Sequence, residues 1–109
     1  MVNVVAPLLI TNSFLASLPP RRILITSSIS HLYAGSHSEE LDYQDLQMEK
    51  GFDAHVSYGL SKLLVLMFSR GLFIKGLIPS STSLINMDPG TVNTKMLLAG
   101  WGPCGIPVD

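Results

Sequence analysis

The stretch HVSYGLSKLLVLMF, residues 55 to 68, places a phenol and an amine four positions apart, at Tyr58 and Lys62. On a helix that spacing puts both on one face. A phenol with a pKa near ~10 is a poor base at neutral pH. A neighbouring ammonium stabilises the phenolate, which prepares the hydroxyl for proton transfer to or from an alcohol or carbonyl oxygen. A serine hydroxyl beside them can polarise the same oxygen, and Ser28 is the candidate. Taken alone, a Tyr-x-x-x-Lys pair arises by chance too often to decide anything. The bland alternative is a helical tyrosine with its hydroxyl at the surface.

The elements that must position these residues can be read from the hydrophobic pattern. Val4, Val5, Leu8, Leu9, Leu15 and Leu18 recur at helical spacing and predict a helix over 2–18, stopped by Pro19-Pro20. RRILIT is a short isoleucine-rich run that predicts a buried strand near 23–27. A serine-rich and acidic loop follows, with a short helix expected around LDYQDLQMEK. A long helix is expected from near Ala54 to about Lys75, weakened by Gly71 and Gly76, each costing about 1 kcal/mol against alanine. IPSSTS is a linker, SLINM a second short strand, and Asp88-Pro89-Gly90 its end. The tail GWGPCGIPVD shows no periodicity.

The order helix, strand, long helix, strand predicts an α/β chain built on a parallel βαβ unit with a right-handed crossover. Ligands in open α/β sheets bind beyond the carboxyl ends of the strands. Here those ends carry TSSIS and DPGTVNT, so Ser28, Tyr58 and Thr91 are expected to converge.

Composition narrows the function classes. With 47% apolar and 14% charged residues the chain is a folded domain rather than a disordered tail. A net charge of −1 with scattered basic residues excludes a nucleic-acid footprint. The lone Cys104 leaves no internal disulfide and suits a reducing, cytoplasmic compartment. MVNVVAPLLI lacks the basic region and cleavage site of a signal peptide, and LLVLMF is too short to span a bilayer. Glu39, Glu40, Asp42, Asp45, Glu49 and Asp53 form an acidic run read as a solvated surface insertion, with no metal site expected. His31, His37 and His55 are read as loop or helix-start residues, and Trp101 and the methionines as packing or substrate-loop residues.

VNVVAPLLITN, RRILITSSIS, YGLSK and NMDPGTVNT, in that order, resemble the second half of a short-chain dehydrogenase/reductase. DLQMEKGF resembles the insertion of the retinol-dehydrogenase-like branch. The resemblance covers most of the chain and implies part of a Rossmann-like, doubly wound parallel sheet. It further implies hydride transfer between NAD or NADP and a lipophilic alcohol or carbonyl, such as a retinoid or steroid. By that resemblance Tyr58 is the general acid/base. Lys62 would hold the nicotinamide ribose and depress the pKa of Tyr58. Ser28 would orient the substrate oxygen, and Asn3 would help to hold a water leading protons to the lysine. Pro89, Gly90, Val92 and Thr94 match the segment that lies against the nicotinamide, and a homo-oligomer is implied for the complete enzyme.

Departures from the family pattern are equally concrete. The glycine-rich turn for a cofactor pyrophosphate, the residues that discriminate NAD from NADP, and the Asn-Ala-Gly strand end are not among the 109 residues. Members often carry a membrane anchor in a segment also outside them. The expectation is a chain that does not turn over substrate by itself, with an open apolar strand edge. The alternative reading is a non-catalytic, truncated relative that acts as a dimerisation or interaction fragment.

Overall fold

The computed structural model describes residues 2–34 and 42–102. In chain order these form α1 (Val5–Ser17), β1 (Arg22–Thr26), a 3-10 helix (Ile29–Tyr33), α2 (Ala54–Ile74), β2 (Ser83–Met87) and α3 (Lys95–Trp101). The structure is mixed helix and strand with a two-stranded parallel sheet, compatible with an α/β class. Glu39, Glu40, His37 and Cys104 lie outside the described residues.

Local chemistry sets the bounds of α2. The Asp53 carboxylate accepts the backbone N–H groups of His55 and Val56, both at 2.9 Å, which satisfies two otherwise orphaned donors at the helix start. Asp53 therefore belongs to the helix cap rather than to a solvated acidic run. At the other end Gly76 adopts φ +64°, donates to Phe73 O, and is followed by Leu77 donating to Leu72 O. That pair of bonds is a Schellman cap, for which glycine is the favoured residue. Gly76 ends the helix instead of weakening its interior, contrary to the sequence expectation; Gly71 does lie inside it.

Three further expectations change. α1 starts at Val5, not at residue 2, with residues 2–4 in a turn and Pro7 in the first helical turn, where its missing N–H costs nothing. No helix forms over residues 42–50, because the Asp45 carboxylate takes the N–H groups of Glu49 and Lys50 at 2.8 and 3.0 Å. An aspartate bonding to nearby backbone in this way competes with a helical ladder. Finally, α3 had no clear periodic signal. It begins where the Thr94 hydroxyl accepts from the Leu97 N–H at 3.3 Å, and it takes in Gly100 from the supposedly irregular tail.

The strands pair in parallel, from Arg22 opposite Ser83 to Thr26 opposite Met87. Ser83 N–H donates to Arg21 O, and Ser27 N–H donates to Met87 O. Backbone groups of the odd-numbered residues of β1 thus face β2, and those of Arg22, Leu24 and Thr26 face the opposite edge. Side chains divide the same way. Ile25 and Ser27 are buried, together with Val56, Leu60, Val65 and Leu72 of α2. The Ser69 hydroxyl of α2 donates to Asn86 Oδ1 of β2 at 3.0 Å, which ties the second half of the helix to the sheet. Among the described residues nothing covers the other sheet face, where Leu24 is 55% exposed beside Ile85 and Met87.

By length and composition α2 is one helix long and apolar enough to cross a membrane. It also forms the crossover between two paired strands, and its Val65 and Ser69 are fully enclosed by the fold.

Candidate functional site

The site lies at the carboxyl edge of the two strands. α2 carries Tyr58 and Lys62 one turn apart, both half-buried, with the Lys62 ammonium 5.6 Å from the centre of the Tyr58 ring. That distance is within cation–π range. The ammonium donates to the Thr26 carbonyl at 3.0 Å. Burial holds the Lys62 pKa below the ordinary lysine value, since removing water disfavours the charged form. Among the described residues the Tyr58 hydroxyl makes no hydrogen bond.

Asn3 reaches the same helix. Its Nδ2 donates to Ser61 Oγ at 3.2 Å, and Ser61 Oγ donates to the Tyr58 carbonyl at 2.7 Å. Asn3 and Lys62 both line one groove beside β1. Ser61 and Thr26 were not singled out in the sequence; Ser61 was visible inside YGLSK, whereas a backbone carbonyl leaves no sequence signal.

Ser28 caps the 3-10 helix. Its Oγ accepts from the Ser30 N–H at 3.2 Å and donates to Ser30 Oγ at 3.1 Å. This helix packs on α2 at Gly59, the residue after Tyr58, where an added Cβ would meet Ser30 O at 2.5 Å. The close approach brings the Ser28 segment to the Tyr58 turn of α2.

Asp88 joins the two strand-end loops, a role missed because Asp-Pro-Gly reads as an ordinary turn. One carboxylate oxygen accepts the Ile29 N–H, and the other accepts the Gly90 N–H at 2.7 Å. Pro89, Gly90, Thr91 and Val92 are exposed, and the Thr94 hydroxyl is occupied as the acceptor that caps α3. The structure links Asn3 through Ser61 to the backbone of Tyr58 and sets Lys62 over the Tyr58 ring, with the Ser28 segment packed alongside. It leaves residues 89–94 as an exposed arm tethered through Asp88.

Comparisons with protein-family models, curated proteins and solved structures return no match.

Proposed function

We propose that this chain forms the substrate-side half of an NAD(P)-dependent oxidoreductase of the short-chain dehydrogenase/reductase type, acting on a lipophilic alcohol or carbonyl. The observation that carries the reading is the Tyr58–Lys62 pair at the carboxyl edge of parallel strands, with the ammonium 5.6 Å from the phenol ring. The donor set suits the ribose end of a nicotinamide cofactor. Lys62 has three N–H donors, of which one is used on Thr26, so two remain for ribose hydroxyls. The cofactor supplies or accepts the hydride, and the protein supplies orientation and the proton. Tyr58 delivers or removes the proton at the substrate oxygen. Ser28 positions that oxygen once its hydroxyl turns away from Ser30. Asn3, through Ser61, holds the Tyr58 turn of α2. A cytoplasmic setting and a homo-oligomeric complete enzyme belong to the same reading.

A second reading, a non-catalytic interaction fragment, is favoured by the edge of β1 left unpaired among the described residues and by the engagement of Ser28 and Thr94 in local caps. Nicotinamide mononucleotide separates the two, because it tests the ribose end alone. In an isotope-labelled sample it should shift the signals of Tyr58 and Lys62 saturably at millimolar concentration, and Lys62→Met should abolish the response. If neither this probe nor NADH or NADPH perturbs Tyr58 and Lys62, the oxidoreductase reading falls.

A further inference from the structure

Basic residues that are scattered in the sequence gather at one end of the fold. Both strands begin there, at Arg22 and Ser83, and α2 runs back toward that end before the linker to β2. Arg21 and Arg22 stand at the start of β1, Arg70 lies near the end of α2, and Lys75 is its C-cap. The described acids belong to the connections of the opposite end, where Asp42, Asp45, Glu49 and Asp53 precede α2 and Asp88 follows β2. Asp42, Asp45, Asp53 and Asp88 are each spent on backbone N–H groups. Among the described residues the side chains of Arg21, Arg22, Arg70 and Lys75 have no hydrogen bond and no ion pair. An uncompensated positive end attracts an anion.

Ser80 and Ser81 hold the two central positions of a turn at this end, closed by Thr82 N–H donating to Pro79 O at 2.9 Å. The buried Thr82 hydroxyl donates to Pro20 O at 2.7 Å, and Ser83 N–H donates to Arg21 O at 2.9 Å. The turn is thereby fastened to the segment that carries Arg21 and Arg22. Both serines are exposed, and neither hydroxyl is bonded within the described residues. Ser80, unlike Ser81, lines a groove of about 730 Å³ that Arg70 also lines.

We propose that Ser80 is a phosphorylation site whose phosphate is held by the Arg70 guanidinium, in the field of Arg21, Arg22 and Lys75. In that step the Ser80 Oγ attacks the γ-phosphorus of a nucleoside triphosphate bound to a protein kinase. The Oγ–P bond forms as the bond to the diphosphate breaks, and the hydroxyl proton passes to a base of the kinase. A neutral hydroxyl becomes a group of about two negative charges, whose oxygens suit a bidentate arginine contact. The partial negative charge at the carboxyl end of α2 opposes an anion here. The cations outweigh it, because each carries a whole charge and the Gly76 and Leu77 N–H groups already cap two of the last carbonyls. Held in this way, the phosphate pins α2 to the linker and to the start of β2. The site lies at the end of the sheet away from Tyr58, so this inference stands apart from the oxidoreductase reading.

Two measurements on the full chain test it. Incubated with magnesium ATP and an extract of the cells that make it, the chain should take up phosphate that fragmentation mass spectrometry places on Ser80. Ser80→Ala should lose that phosphate. No uptake, or uptake confined to other residues, overturns the proposal. In the second measurement phosphate is installed on Ser80 during synthesis and its second ionisation is followed by phosphorus NMR. Folding should lower that pKa by about half a unit relative to the same chain in urea, about threefold in the ionisation constant. Arg70→Gln should remove most of the shift, and Arg70→Lys should keep part of it, since lysine retains the charge without the planar fork. Arg70 is exposed, so both variants should keep the far-UV spectrum of the parent. Phosphate placed on Ser81 instead should shift less and should not respond to Arg70→Gln. A pKa that folding leaves unchanged, or a shift that survives Arg70→Gln, overturns the proposal as well.

Discussion

Gly59→Ala and Gly71→Ala make the same change in the same helix, and their effects should have opposite signs. Each replaces a glycine inside α2 with the best helix former, a gain of about 1 kcal/mol in helix propensity. At Gly71 a new Cβ meets nothing within 4 Å, so the whole gain should appear as stability. At Gly59 the Cβ would lie 2.5 Å from Ser30 O and 3.2 Å from Ala34 N. Both are backbone atoms of the packed 3-10 helix and its end, so no flexible side chain can swing aside. That helix must retreat by about 1 Å, and such overpacking costs about 1–3 kcal/mol. Propensity cancels between the two variants, so the difference in their stabilities isolates the cost of the clash. Equilibrium urea unfolding followed at the helical band measures it. With a slope of about 1–2 kcal/mol per molar for a chain of this size, the two midpoints should separate by about 1 M, with Gly71→Ala above wild type. Coincident midpoints, or a Gly59→Ala variant as stable as Gly71→Ala, would refute the packing argument.

Three other perturbations follow from the caps and loops. Asp53→Ala removes the acceptor of the His55 and Val56 N–H groups and should cost about 1 kcal/mol, read as a lower urea midpoint with faster exchange at those amides. Hydrogen bonds from the Glu49 N–H, then the Lys50 N–H, hold the Asp45 carboxyl below its ordinary value. Its folded pKa is therefore depressed, so its contribution is present above the ordinary carboxylate range and is lost as pH falls through the folded value; an Asp45→Asn variant should show a shallower loss of loop order on acid titration. Asp88→Asn leaves one acceptor oxygen where two backbone N–H groups need one each. Exchange at the Ile29 or Gly90 amide should rise about fivefold while β1 and β2 amides remain protected, as amide exchange by NMR can check.

Much of the frame was legible in the sequence because the periodic signals there are strong. SLINM and the Ala54 start of α2 were read in place, and the isoleucine run of RRILIT located β1 to within a residue. The Tyr58–Lys62 pair was legible too, since residues four apart on a helix must share a face. What could not be read were groups whose meaning depends on a distant partner. Asp45 and Asp53 look alike in an acidic run, but one folds a loop onto itself and the other caps a helix. Gly71 and Gly76 are the same residue five positions apart. Only the path of the chain after Ile74 turned the second into a cap with φ +64°.

The sequence by itself determined α1, β1, α2 and β2 to within a few residues, and it placed a phenol and an amine on one helical face. Tertiary structure alone decided what that amine touches. Parallel pairing with β2 uses the odd-numbered backbone groups of β1 and turns Thr26 O outward, where α2 brings the Lys62 ammonium within 3.0 Å. The physical reason is the two-residue alternation of a strand: once one edge is paired, the other edge's donors and acceptors are fixed in place, to be met by water or by a side chain that reaches them.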